Sequence, residues 1–154
     1  MNRKLFDYIA ASPSPYHAVH HSAEKLRAAG FLPLSEGEDW DLTPGQGYYV
    51  TRNGSSLIAF RAKRDFSGFL MTASHCDSPT FKIKENAELT GSGCRRLAVE
   101  KYGGMLMSTW MDRPLGIAGR VLLRKGSGIE SRLLDLGGAC AVIPNVAIHM
   151  NRKA

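Results

Sequence analysis

A mixed α/β fold is predicted by three features of the chain. Its first forty residues carry helical spacing and helix-capping residues, the period then changes to that of strands joined by an Asn-Gly turn, and the second half is glycine-rich with short β-like runs.

Leu5, Phe6 and Ile9 make a short apolar face at helical spacing, and the run Ser12-Pro13-Ser14-Pro15 then breaks the chain and restarts it. Ser14 is a good N-cap, because its hydroxyl can accept an orphan backbone N–H, and Pro15 suits the first helical position. Val19, Ala23 and Leu26 recur at i, i+4 and i+7 in the second helix. Glu24, Lys25 and Arg27 face away, and Gly30 stands where a C-terminal cap is wanted. From Tyr48 to Arg52 and from Ser55 to Ala62 the pattern is that of two strands, and Asn53-Gly54 between them predicts a hairpin. The apolar run Phe69 to Ser74 predicts a buried strand ending in the polar cluster His75-Cys76-Asp77-Ser78-Pro79. Further strands are predicted at Phe81 to Lys84, Leu97 to Glu100, Gly119 to Leu123, Arg132 to Leu136 and Ala147 to Met150. Pro144 marks an entry or edge position, since proline cannot donate to a ladder.

The chain has 154 residues, 44% hydrophobic and 22% charged, which excludes disorder throughout and is enough for one domain with a core. No apolar stretch approaches the roughly 20 residues of a spanning helix. The charged start, interrupted by Asp7, shows no secretory signal. The expectation is a cytoplasmic protein without membrane contact. Three cysteines, Cys76, Cys94 and Cys140, form no C-x-x-C pair and are expected to be small core residues in a reducing compartment. The net charge of +6 is spread over short basic pairs rather than a stripe with aromatics, so no nucleic-acid partner is expected. A positive field does attract anionic partners, a peptide with an acidic end among them.

His75-Cys76-Asp77 is the most informative local feature. In an extended strand residues i and i+2 point to one side, so imidazole and carboxylate can converge while Cys76 turns away. That suits a metal ligand with its orienting acid, although the Asp can instead orient a catalytic group. The tripeptide alone is common, and a histidine hydrogen-bonded in a loop is the competing reading.

Four ordered segments add to it: SPSPYHAV at 12–19, TASHCDSPTFKIK at 72–84, YGGMLMSTWMDRPL at 102–115 with AGRV at 118–121, and IPNVAIHMNR at 143–152. Together they resemble the aspartyl aminopeptidase family of dinuclear zinc exopeptidases, over nearly the whole chain but only the N-terminal third or so of what that family needs. The resemblance implies that residues 1–90 are the N-terminal part of a zinc-exopeptidase α/β catalytic domain and residues 91–154 the beginning of an inserted β-rich dimerisation domain. It makes His75 a ligand to one zinc, Asp77 the catalytic acid beside it, and His149 a substrate-contacting residue that reaches the site of a neighbouring subunit in a homo-oligomer. Without the resemblance, a lone His149 in an apolar strand reads as a satisfied core histidine. Trp110, Asp112, Arg113 and Gly119-Arg120 look like the join between the two domains, with an Asp-Arg pair there read as an ion pair rather than a dyad or a metal ligand. His17, His20 and His21 lie on the second helix. His17 and His21 fall on one face at i, i+4 and read as polar surface, because the Glu of a zincin helix is missing.

The family's implied chemistry is removal of an N-terminal Asp or Glu from peptides. Two bridged zinc ions polarise the scissile carbonyl and activate a water, while a glutamate moves the proton. The chain has no adjacent Glu-Glu pair for the base and a ligand. Nothing after His149 supplies the remaining ligands, and the ending reads as interrupted. One histidine cannot hold two zincs, so the expectation is an inactive fragment of an aminopeptidase. The alternative is a non-catalytic oligomerisation or regulatory module of the same descent.

Overall fold

The computed structural model describes residues 2–65, 67–91, 93–146 and 148–149. Two helices, α1 (Asn2–Ala10) and α2 (Pro15–Ala28), precede strands β1 (Leu32–Leu34), β2 (Gly47–Arg52) and β3 (Ser56–Arg61). Then follow β4 (Thr80–Leu89), β5 (Arg96–Tyr102), a 3₁₀ turn at Met107–Trp110, β6 (Ala118–Lys125) and β7 (Gly128–Asp135). The chain divides into two compact units. The first comprises Met1–Asp77 with Ile117–Leu136, and the second Ser78–Gly116 with Gly137–Ala154.

In the first unit α2 begins and ends as its capping residues require. Ser14 is extended (φ −143°, ψ 162°), its Oγ accepts the His17 N–H, and Pro15 takes the first helical position. At the other end Gly30 has a φ of +82°. The Gly30 N–H donates to Arg27 O and the Phe31 N–H to Leu26 O, both at 3.0 Å, the crossed pair of a Schellman close. The core lies between this helix and β2, where Ala18, Val19, Tyr48, Tyr49 and Val50 are all under 9% exposed. Both buried tyrosines keep a partner for the hydroxyl: Tyr48 accepts the Thr43 N–H at 2.9 Å and Tyr49 accepts from Arg27 at 3.0 Å. The helix α1 is tied on by Tyr8, whose hydroxyl donates to Ala18 O at 3.2 Å and bonds Ser22 Oγ at 2.9 Å.

The sheet order is β1-β2-β3, with β1 parallel and β3 antiparallel to β2. Leu32–Leu34 thus forms a strand within the stretch expected to be helical. The expected hairpin forms: Asn53 and Gly54 both take positive φ (53° and 64°), as a type I′ turn demands, and Ser55 N–H closes on Arg52 O at 3.1 Å. Gly47 is required by a close approach, since a Cβ there would lie 2.7 Å from the Phe31 ring. The β6-β7 hairpin belongs to this unit through Arg120. Its guanidinium lies 4.2 Å from the Tyr16 ring centre and donates to Asn53 O at 2.8 Å and Asn53 Oδ1 at 3.0 Å.

The second unit holds the antiparallel pair β4-β5, with a register shift between Ile83 and Glu88. Phe81 meets Trp110 edge-on at 5.5 Å. Isolated bridges join Met111 to Ile143 and Leu115 to Ala141, so Pro144 follows a bridge instead of entering a strand. Of the strand expected at Ala147 to Met150, Ala147 and Met150 lie outside the described residues, and Ile148 and His149 form a turn.

Three expectations are corrected. The run Phe69 to Ser74 is not a buried strand: it forms no ladder, and Phe69, Leu70 and Met71 are 79%, 101% and 82% exposed. A central strand needs a ladder on both sides and covered faces, and this run has no strand ladder and uncovered side chains. Cys76, Cys94 and Cys140 are exposed rather than core residues. His17 is buried, at 8% exposure, because it sits at the third position of α2, where the turn packs inward. Its Nδ1 lies 2.7 Å from Ser14 Oγ.

Burial holds the His17 imidazole below its ordinary pKa, with His20 and His21 adding repulsion and Asp135 opposing the shift. The unfolded chain therefore takes up the proton first. Stability from this residue is present above the ordinary value of 6.5 and is lost as the pH falls below it towards the folded pKa. Urea unfolding is expected to show this decline on acidification from about pH 7.5 to about pH 5.5, and His17→Asn to flatten it. Ser14→Ala removes the cap, and the same assay is expected to register a loss of about 1 kcal/mol.

Candidate metal centre

His75 and Asp77 are brought together, although not on a strand. The exposed segment after Gly68 carries them to the start of β4, and the His75 Nδ1 lies 2.7 Å from the Asp77 carbonyl oxygen and 3.2 Å from its carboxylate Oδ1. A carbonyl oxygen only accepts, so Nδ1 must carry the proton, which leaves the lone pair of the neutral ring on Nε2. With the side chain 81% exposed, that nitrogen is presented outward. Between the two, Cys76 turns back and its Sγ donates to Ser55 O at 3.1 Å, which ties the tripeptide to the β2-β3 turn. The imidazole is thus fixed through one ring nitrogen, which leaves the other open to a partner.

Asp77 bonds at Nδ1, across the ring from Nε2, so it orients the imidazole and does not share an ion bound there. Among the described residues the three donors close enough to hold one ion are His20, His21 and Glu24, a group without His75. One protein ligand falls short of the roughly three that a catalytic zinc takes. The described residues do not by themselves fit a two-zinc centre.

His149 is exposed in its turn and belongs to the second unit, whereas His75 and Asp77 belong to the first. Asp112 and Arg113 make no ion pair with each other. Asp112 Oδ1 accepts the Asn145 N–H at 2.8 Å, and Arg113 donates to Thr109 O at 3.4 Å. Two open concavities of about 300 and 470 Å³ flank Arg113 and Pro114, and neither is lined by His75 or Asp77. His17 and His21, one turn apart on α2, do not converge. His17 turns to Ser14, and Glu24 draws in both His20 and His21. The i, i+4 spacing of His20 and Glu24 was the available signal.

The sequence profile of the aminopeptidase I zinc metalloprotease family, M18, matches residues 8–154. The chain belongs to the M18 family. A probable M18 family aminopeptidase 2 from Pseudomonas paraeruginosa is 48% identical over 157 aligned positions, which take in all of this chain but 37% of that protein. The chain thus spans little more than a third of the length of this curated relative. Among solved M18 structures, mApe1 of Chaetomium thermophilum superposes with a TM-score of 0.88 at 31% identity, covering 97% of this chain and 35% of its own. The mApe1 dodecamer of S. cerevisiae gives 0.77 at 34% identity, covering 87% and 33%. These neighbours share the mixed helix and strand architecture of the N-terminal portion. No helix among the described residues is long and apolar enough to cross a membrane.

The tautomer of His75 is open to direct measurement. Long-range ¹H–¹⁵N correlation spectra of the neutral protein are expected to show His75 protonated at Nδ1 and bare at Nε2; a ring protonated at Nε2 would contradict the orientation described above.

Proposed function

We propose that this chain is the N-terminal portion of a zinc-dependent aminopeptidase that releases acidic residues, Asp or Glu, from the N-termini of peptides in the cytoplasm. The observation that carries this reading is the His75 imidazole, held through Nδ1 by Asp77 with Nε2 turned outward. Membership of a zinc metalloprotease family supports it, because an outward Nε2 is what a zinc ligand offers. In this reading His75 is one ligand of a two-zinc centre, Asp77 the acid that fixes it, and His149 a substrate contact reaching a neighbouring subunit. The basic balance of the chain, +6, favours acidic peptides at long range.

Residues 1–90 belong in this proposal to the catalytic domain, and residues 91–154 open a β-rich dimerisation domain. Exposed apolar side chains of the second unit, such as Leu97 at 43% and Leu106 at 76%, support a region that other polypeptide covers. Assembly into a homo-oligomer agrees with the dodecamer reported for S. cerevisiae mApe1. Since the donors here do not complete a zinc centre, catalysis requires the remaining ligands and the general base from polypeptide beyond these residues.

Hydrolysis of an aspartyl anilide tests the reading. The chain alone, loaded with zinc, is expected to release no product. Co-expressed with the C-terminal two-thirds of a relative, it is expected to gain activity that His75→Ala abolishes. Turnover by the chain alone would refute the incompleteness. A co-assembled complex that forms and stays inactive would favour the non-catalytic module.

A further inference from the structure

On the exposed side of α2, three donors converge at a place the aminopeptidase reading does not use. His20 and Glu24 stand one turn apart, and His21 reaches the same carboxylate from three residues away. The His20 Nε2 lies 3.5 Å from Glu24 Oε1 and the His21 Nδ1 lies 3.1 Å from Glu24 Oε2, so each imidazole addresses a different oxygen. The two rings meet edge to face at 5.3 Å. The three ligand atoms all fall within 4.8 Å of one another.

A tetrahedral zinc with bonds of about 2.0–2.1 Å holds its donors about 3.3 Å apart. The two N···O separations are close to that spacing but run to different carboxylate oxygens, so rotation of the Glu24 carboxylate and of the two imidazoles brings one oxygen and both nitrogens around a single ion. We propose that His20, His21 and Glu24 form a site on α2 for one divalent transition-metal ion of the zinc, nickel and copper class. Two imidazoles and one carboxylate suit those ions, whereas magnesium and calcium take oxygen shells. The side chains are 53%, 32% and 51% exposed, so water completes the coordination and entry is unobstructed.

Binding needs the lone pair at the nitrogen that faces Glu24. The neutral His21 ring, whose Nδ1 is bonded to a carboxylate that only accepts, therefore moves its N–H to Nε2, a change of tautomer with no net release of protons. The ion then bridges consecutive turns of the helix that supplies His17, Ala18 and Val19 to the core, and it stabilises the folded chain by mass action. This site is independent of His75.

Calorimetric titration of the full chain with zinc chloride tests the proposal, with the His20→Gln/His21→Gln double variant, Glu24→Gln and His75→Ala run in parallel. The expected result is one zinc equivalent, weakened roughly tenfold or more by the double variant and by Glu24→Gln. His75→Ala should retain it, and magnesium chloride should give no matching signal. Long-range ¹H–¹⁵N spectra should show the tautomer change of His21 at the same equivalent, and the substituted side chains are exposed or half-exposed, so circular dichroism of the variants should be unaltered. No zinc binding by the unmodified chain, binding indifferent to the double variant, or binding lost in His75→Ala would each overturn it.

Discussion

The packing of α2 on β2 is the contact on which the first unit depends. The segment Tyr48 to Val50 is buried on both of its faces, and α2 contributes His17, Ala18 and Val19 to the same core. That core is small, so the burial of each group in it matters, and polar groups enter only with partners. The Tyr48 and Tyr49 hydroxyls each accept a hydrogen bond, and the His17 imidazole is answered by the N-cap serine. The cap therefore starts the helix and also accommodates a buried ring. From this core the β2-β3 turn extends, and Cys76 is fastened to it. The position of His75 thus traces back through one turn to the helix–strand contact.

At His75 a single rule of hydrogen bonding decides the chemistry. A carbonyl oxygen opposite Nδ1 leaves one choice of tautomer, and that choice determines which nitrogen can act as a base or ligand. The carboxylate of the same residue reinforces it from 3.2 Å. Both contributions come from within three consecutive residues, so the orientation is local and does not wait on other donors. Family membership is compatible with an imidazole held in this way.

Much of this was legible in the sequence where local chemistry decides. Ser14-Pro15, Gly30 and Asn53-Gly54 each impose a backbone conformation through their own side chain or its lack, and all three stand where expected. The spacing of His75 and Asp77 likewise gave their proximity. What was not legible depends on neighbours. Leu32–Leu34 is too short and too proline-interrupted to show a period, and it becomes a strand only because β2 runs beside it. Phe69 to Met71 read as buried from their composition, but burial requires covering strands, which composition does not reveal. His17 read as surface because the zincin Glu is missing and its neighbours look solvent-facing, while the first turn of α2 in fact faces inward. The convergence of His20, His21 and Glu24 was half visible as a spacing, and the reach of two rotamers completed it.

The route of the chain through its two units has a bearing on synthesis. The backbone leaves the first unit after Asp77, builds most of the second, returns with Ile117–Leu136, and leaves again. The contact that brings the returning hairpin home, Arg120 to Asn53, closes a loop of 67 residues. A nascent polypeptide emerging from the ribosome can form α2, β2 and β3 early, but the first unit stays unfinished until Arg120 has cleared the exit tunnel. Closing so long a loop late is entropically slow, and in the interval the aromatic face of Tyr16 waits for its cation.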